Sequence, residues 1–213
     1  MSTVFDLLMG AALVELAASY TENRYANEIY GAAAAYWQDG SRGGFKTRMN
    51  GTIKFGLNSA FEQGAGMVDV PPEDFSNDDK ALIAQIIDGE KSHVDGLLEY
   101  IDKLANTKGA KLSDASPRVE MWVKRYPAVI SEAMIYFGKK KRLAWRLGEA
   151  EHCETCRALS KIVAWAQEWD EAGIKPKDPQ LECHGFNCAC EMVPTKKRRS
   201  PKALQRIYAA LGA

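Results

Sequence analysis

Apolar residues recur every three or four positions through most of this chain, and the points where that rhythm stops divide it into elements. From Thr3 to about Trp37 the repeat runs through Phe5, Met9, Ala12, Leu13 and Leu16 and then Tyr25, Ile29 and Tyr30, which predicts one long or broken helix. The glycines and the Asp-Gly pair of residues 38–44 end it. A second helix is predicted where Phe45, Met49, Ile53, Leu57, Ala60 and Phe61 share a face, stopping near Gly64 and Gly66. Pro71 and Pro72 then force extended backbone. A third helix opens after Ser76 and carries Ile83, Ile87, Glu90, Val94, Leu97, Ile101 and Leu104 at alternating steps of four and three, a heptad seam interrupted once by Glu90. Packing inside a bundle of this chain is the plainer reading of that seam, and a coil between copies is the other. Ser116 and Pro117 read as a cap and first-turn proline for a fourth helix that runs to Gly138, with Pro127 expected to kink or divide it.

After Gly138 the period changes from helical to two. Leu143, Trp145 and Leu147 alternate with Ala144 and Arg146, which predicts a short strand leading into His152 and Cys153. Beyond it, Ile162, Val163, Trp165 and Trp169 fall at helical spacing and predict a helix ending at Gly173 and Pro176. The expected fold is therefore mainly α: a helical domain with a long amphipathic helix, plus a small C-terminal knuckle with short strands. The expected division is residues 1–142 helical, 143–195 knuckle and 196–213 a basic C-terminal helix.

All five cysteines of the 213 residues lie between positions 153 and 190. Cys153 and Cys156 form a C-x-x-C pair, and Cys183, Cys188 and Cys190 form a second group. Two local sets of soft ligands joined by one connecting segment are how a short chain closes a tetrahedral site around Zn²⁺. Five candidates for four positions leave one over. Cys153, Cys156, Cys183 and Cys188 are the expected ligands, because Cys190 stands so close to Cys188 in sequence that both are not expected to bind; Cys190, His152 and His184 are the alternates. A redox C-x-x-C at a helix start and a disulfide-stapled tail are competing readings, but the redox one leaves three cysteines unexplained. His93, beside the heptad seam, is expected at the surface.

Composition narrows the function. Lysine and arginine balance aspartate and glutamate at 28 each, so a polyanion partner has to be argued from local clusters. Lys139, Lys140, Lys141 and Arg142 precede the cysteine stretch, and Lys196, Lys197, Arg198 and Arg199 follow it. These eight are the candidate nucleic-acid or partner contacts. The apolar stretch near the start is interrupted by Asp6 and Glu15, so no membrane span is expected. The odd, bunched cysteines fit a reducing compartment. No Walker A loop, nucleophile elbow or dinucleotide fingerprint occurs, nor the His-Glu patterns of a catalytic zinc, and the expected chain is not an enzyme.

The stretch Trp145–Cys190, with WRLGEAEHCETCRALS, a tryptophan-bearing segment, a proline turn and LECHGFNCAC, resembles the C-terminal motif of phage head-morphogenesis proteins, the minor head proteins related to the phage Mu F type. In that family a C-x-x-C pair precedes a proline turn, a His or Cys, and C-R-C, and the cluster is taken to bind zinc. By position Cys153 and Cys156 match the pair, Cys183 stands at the His or Cys, and Cys188 and Cys190 match C-R-C, with Ala189 in place of the Arg. A looser likeness extends to the helical region around residues 49–90. The resemblance implies a structural virion or head-assembly protein present in multiple copies, with capsid or portal proteins as partners and packaged DNA as a further contact. The absence of an appended toxin or protease domain in these residues favours assembly over an effector role. A cellular zinc-containing nucleic-acid-binding or regulatory adaptor is the alternative.

Overall fold

The computed structural model describes residues 20–185 and 188–212. The apolar positions expected in a helix before Tyr20 lie outside the described residues. The chain is mainly helical with one small antiparallel sheet, and it forms two compact units: residues 1–60 with 77–126, and residues 61–76 with 127–213. These boundaries differ from the sequence division at 142 and 195. Two of the three fall inside helices, between Ala60 and Phe61 and between Tyr126 and Pro127, and the third precedes Asn77 at a helix start.

In the first unit, α1 (Glu22–Asp39) starts at Thr21, whose Oγ1 accepts from the Arg24 amide at 3.3 Å, and stops at Gly40 in the left-handed conformation. It is followed by α2 (Arg42–Gly66). The predicted third helix is two helices, α3 (Asn77–Lys91) and α4 (Val94–Ala105). At the break the Ser92 hydroxyl donates to the Gly89 carbonyl at 2.6 Å and the His93 amide reaches back only three residues, to Glu90. A glycine with little helix preference and a serine that competes for the backbone end the helix where the heptad count runs straight through. The seam is nonetheless buried within this unit: Ile83, Ile87, Val94, Leu97 and Ile101 are at most 6% exposed, so it is not a face held out for a partner.

A 3₁₀ turn (Leu112–Ala115) leads into α5 (Ser116–Val123), so Ser116 is the first helical residue rather than its cap, and Pro117 sits in the opening turn as expected. The predicted division near Pro127 is present. The helix ends at Val123 and α6 (Arg125–Phe137) begins, which puts Pro127 in a first turn where its missing N–H costs nothing. Tyr25 and Tyr126 meet at 5.5 Å between ring centroids, and the Tyr126 hydroxyl donates to the Tyr20 carbonyl.

The second unit is built on a three-stranded sheet of order β2-β1-β3. The central strand β1 (Arg142–Arg146) is the one the alternation predicts, with Leu143 and Trp145 facing the core. Its partners are β2 (Val163–Trp165), register Leu143 to Ala164, and β3 (Glu191–Pro194), register Ala144 to Val193. The helix expected through Ile162 and Trp169 is instead α7 (Glu154–Leu159), then β2, then α8 (Ala166–Glu171). Pairing with β1 overrides the helical spacing there, since the segment joins the ladder opposite Arg142–Ala144 and buries Ala164 fully. The free edge of β2 is closed by Ser200, which donates its amide to the Val163 carbonyl and accepts from the Val163 amide.

The C-terminal helix α9 (Ala203–Leu211) buries Ala203 and Ile207 in the same core, and the basic residues 196–199 precede it rather than forming part of it. Residues 61–76 join this unit through rings: Phe75 stacks on Phe137 at 5.0 Å, and Phe61 meets both edge-on. Ser131 of α6, fully buried, accepts from the Met192 amide of β3 at 3.2 Å.

Candidate metal centre

The five cysteines meet in the second unit's hydrophobic core. Cys156, Cys188 and Cys190 are at most 3% exposed and share that core with Trp145, Trp169, Leu181 and Met192, while Cys153 and Cys183 are half-buried at its edge. All five are free thiols. The sulfurs of Cys153, Cys156 and Cys183 lie within 4.8 Å of one another, and so do those of Cys156, Cys188 and Cys190, so Cys156 belongs to both sets. Such a cluster of soft, convergent donors could hold a metal ion.

Three local features bring the sulfurs together. Cys153 begins α7, and its sulfur accepts from the Cys156 amide at 3.4 Å, which turns both side chains of the C-x-x-C inward. The Glu154 amide donates to the carboxylate of Glu182, tying the start of α7 to the loop that carries Cys183. Two glycines then allow close backbone approach. A Cβ on Gly148 would lie 2.2 Å from the Ala189 carbonyl oxygen, and one on Gly185, at φ +71°, would lie 2.3 Å from that of Lys177. The loop after β1 and the Cys188–Cys190 segment can touch only because position 148 has no side chain.

The electrostatics are those of thiols sharing protons in a buried space. Hydrogen bonds from Cys156 and Cys190, with the backbone amides of Cys190 and Lys177, hold Cys188 far below the ordinary thiol range. The same contacts with Cys188 and Cys190, together with burial, push Cys156 far above it. Burial works against the Cys153 thiolate, but hydrogen bonds with Cys156 and Cys183 outweigh it and lower that group, whereas Cys183 is raised, first by burial and then by its neighbours' charge. On Cys190 the hydrogen bond from Cys156 favours the thiolate, but the contact with Cys188 and burial outweigh it and push that thiol up to about 11. A dication would resolve this competition by replacing the shared protons.

Of the residues expected from sequence, Cys153, Cys156, Cys183 and Cys188 all reach the cluster, and so does Cys190. Closeness in sequence does not keep Cys188 and Cys190 apart in role, because in the fold both sulfurs point to the same space as Cys156. His152 also reaches it: its Nδ1 is 3.7 Å from the Cys190 sulfur. His184 does not. It is exposed, with Nδ1 on the Pro179 carbonyl at 3.1 Å. His93 is exposed as expected, on the rim of a cavity of about 400 Å³ beside Arg118 and Trp122.

The basic residues divide. Arg199 is held by the nearly buried carboxylate of Glu168 in a bidentate pair, Lys141 pairs with Asp69 at 2.6 Å, and Arg142 lies over the Trp165 ring. Lys139, Lys140, Lys196, Lys197 and Arg198 are exposed and make no ion pair among the described residues. The register gathers them, because the Thr195 amide donates to the Arg142 carbonyl and so sets both basic runs at one end of the sheet. Gly148, Gly185 and Glu168 support this region without having been picked out from the sequence; a glycine between a strand and a cysteine pair was the available signal for the first. No family model, no curated protein and no solved structure matches this chain.

Proposed function

We propose that this chain is a non-catalytic, zinc-stabilised protein of bacteriophage head assembly, a minor component acting beside the portal or inner capsid and present in the virion. What carries the reading is the closure of both cysteine groups on one buried centre, since those groups are also the motif on which the likeness to head-morphogenesis proteins rests. Zinc is the metal this donor set suits best, because a buried set of convergent thiolates favours a soft-tolerant, redox-inert dication. Purified particles and assembly intermediates should contain the protein in fewer copies than the major capsid protein, and a knockout should impair head formation or DNA packaging. Absence from every particle, together with normal heads in the knockout, would remove the morphogenesis reading.

A cellular zinc-containing adaptor that binds nucleic acid is the second reading, and the gathered basic residues favour it. Contact with packaged DNA would use the same residues. Replacing Lys196, Lys197 and Arg198 with Gln should flatten the salt dependence of DNA binding, by about 0.9 in log–log slope for each phosphate no longer neutralised. An unchanged slope would mean that these residues are solvated surface.

A further inference from the structure

The cysteine cluster has more donors than one metal can use, and the geometry points to two divalent ions that share the sulfur of Cys156, one held with Cys153 and Cys183 and the other with Cys188 and Cys190, with Nδ1 of His152 as the sixth donor. This rests on the metal-stabilised reading above and extends it. In a tetrahedral thiolate site, metal–sulfur bonds of about 2.3 Å place neighbouring sulfurs about 3.8 Å apart. Each three-sulfur set here, mutually within 4.8 Å, therefore surrounds one metal position, and the two sets are separate except for Cys156.

His152 is prepared as a ligand. Its Nε2 lies 2.8 Å from the Gly148 carbonyl, which can only accept, so Nε2 carries the proton and Nδ1 presents its lone pair. That nitrogen is 3.7 Å from the Cys190 sulfur, close to the nitrogen–sulfur edge of about 3.6 Å that a shared zinc ion would set. A ring held by a backbone carbonyl on one nitrogen and free on the other is the usual arrangement of a metal-binding histidine.

The first ion takes Cys153, Cys156 and Cys183, and the second takes Cys156, Cys188 and Cys190 with His152 beside Cys190, so six side chains supply the two ions and Cys156 alone is shared. Charge points the same way. A single dication would leave the surplus cysteine a neutral thiol, whereas two dications compensate all five thiolates to within a single unit of charge. Trp145 is an independent sign. Its indole N–H is buried in the core that also holds Cys190, the donor that the single-metal set omits, and has no hydrogen-bond partner among the described residues. A metal-bound Cys190 thiolate would give that N–H a charged acceptor.

The test is native mass spectrometry of the full chain, loaded with Zn²⁺ and desalted, with Cd²⁺ titration followed by thiolate-to-metal absorbance. Two ions per chain and an absorbance break at two equivalents are expected. His152→Ala should lower the count from two to one. One ion in the wild-type chain overturns this proposal while leaving the zinc-stabilised reading intact, and no ion overturns both. Because the variant can misfold, ¹¹³Cd NMR of the wild-type chain supplies the second measurement. Two resonances are expected, one all-sulfur and one with a nitrogen donor; a single resonance, or two all-sulfur resonances, removes the shared site or the histidine respectively.

Discussion

The two units solve the problem of a core in different ways. The first fills its interior with side chains that need no partner beyond one another: Ile29, Met49, Ile53, Leu57, Leu98 and Ile101 are at most 1% exposed, with Tyr25 and Tyr126 packed ring to ring among them. The second places Cys156, Cys188 and Cys190 at comparable depth, beside Trp145 and Trp169. Buried alkyl groups stabilise by leaving water, whereas buried thiols that must share protons contribute fully only when a cation replaces those protons. One unit is thus complete in its own side chains, whereas the other carries a buried thiol cluster that could hold a metal ion.

Metal withdrawal should separate them most widely. Structural zinc contributes about 10–16 kcal/mol in small domains, as much as the whole stability of a typical fold. Chelation of the loaded chain should therefore abolish amide protection across β1–β3, α7 and α8 while protection in α1, α4 and α5 persists, as read by hydrogen exchange. Equal loss in both units would end the distinction. The fate of α6 sharpens the boundary, because Met134 and Ile135 lie in the cysteine-bearing core and should lose protection with the sheet.

A core truncation gives the reciprocal case. Leu98→Ala should cost about 2–5 kcal/mol by denaturant unfolding, and by the same amount with and without metal, because Leu98 belongs to the unit that lacks the cysteine cluster. A metal-dependent cost would show that the units do not unfold separately. A smaller effect is expected at Gly148. Its Cβ would collide with the Ala189 carbonyl, so Gly148→Ala should cost about 1–3 kcal/mol and also weaken metal binding, measured by competition with a chromophoric chelator.

The smallest effect concerns acid. The hydrogen bond from Arg199 holds the Glu168 carboxyl below the ordinary glutamate range, against a smaller opposing effect of burial. A carboxylate depressed in the folded state stabilises above its unfolded pKa, and that contribution disappears as pH falls through the folded value. The second unit of the wild-type chain should lose stability in acid, and Glu168→Gln should lose part of that dependence, as measured by thermal unfolding between neutral pH and about pH 3. An unaltered pH profile would show that the pair with Arg199 contributes nothing.

Sequence alone determined the features that rest on local chemistry. Helical spacing marked α1, α2, α4 and the helices on either side of Lys124; Pro127 marked a division because its missing N–H is tolerated in a first turn and not in a helix interior; alternation at Leu143 and Trp145 marked β1; and the cysteine spacing marked a candidate metal centre. Tertiary structure decided what depends on contacts between distant residues. Val163–Trp165 reads as helix until β1 supplies a ladder, and Arg199 reads as free charge until Glu168, 31 positions away, takes it. Cys190 reads as surplus because its distance from Cys188 along the chain says nothing of where two sulfurs point, whereas the approach of Gly148 to Ala189 and the ring of His152 fix that direction. Periodicity records which face an element buries, and only the packed chain determines what that face meets.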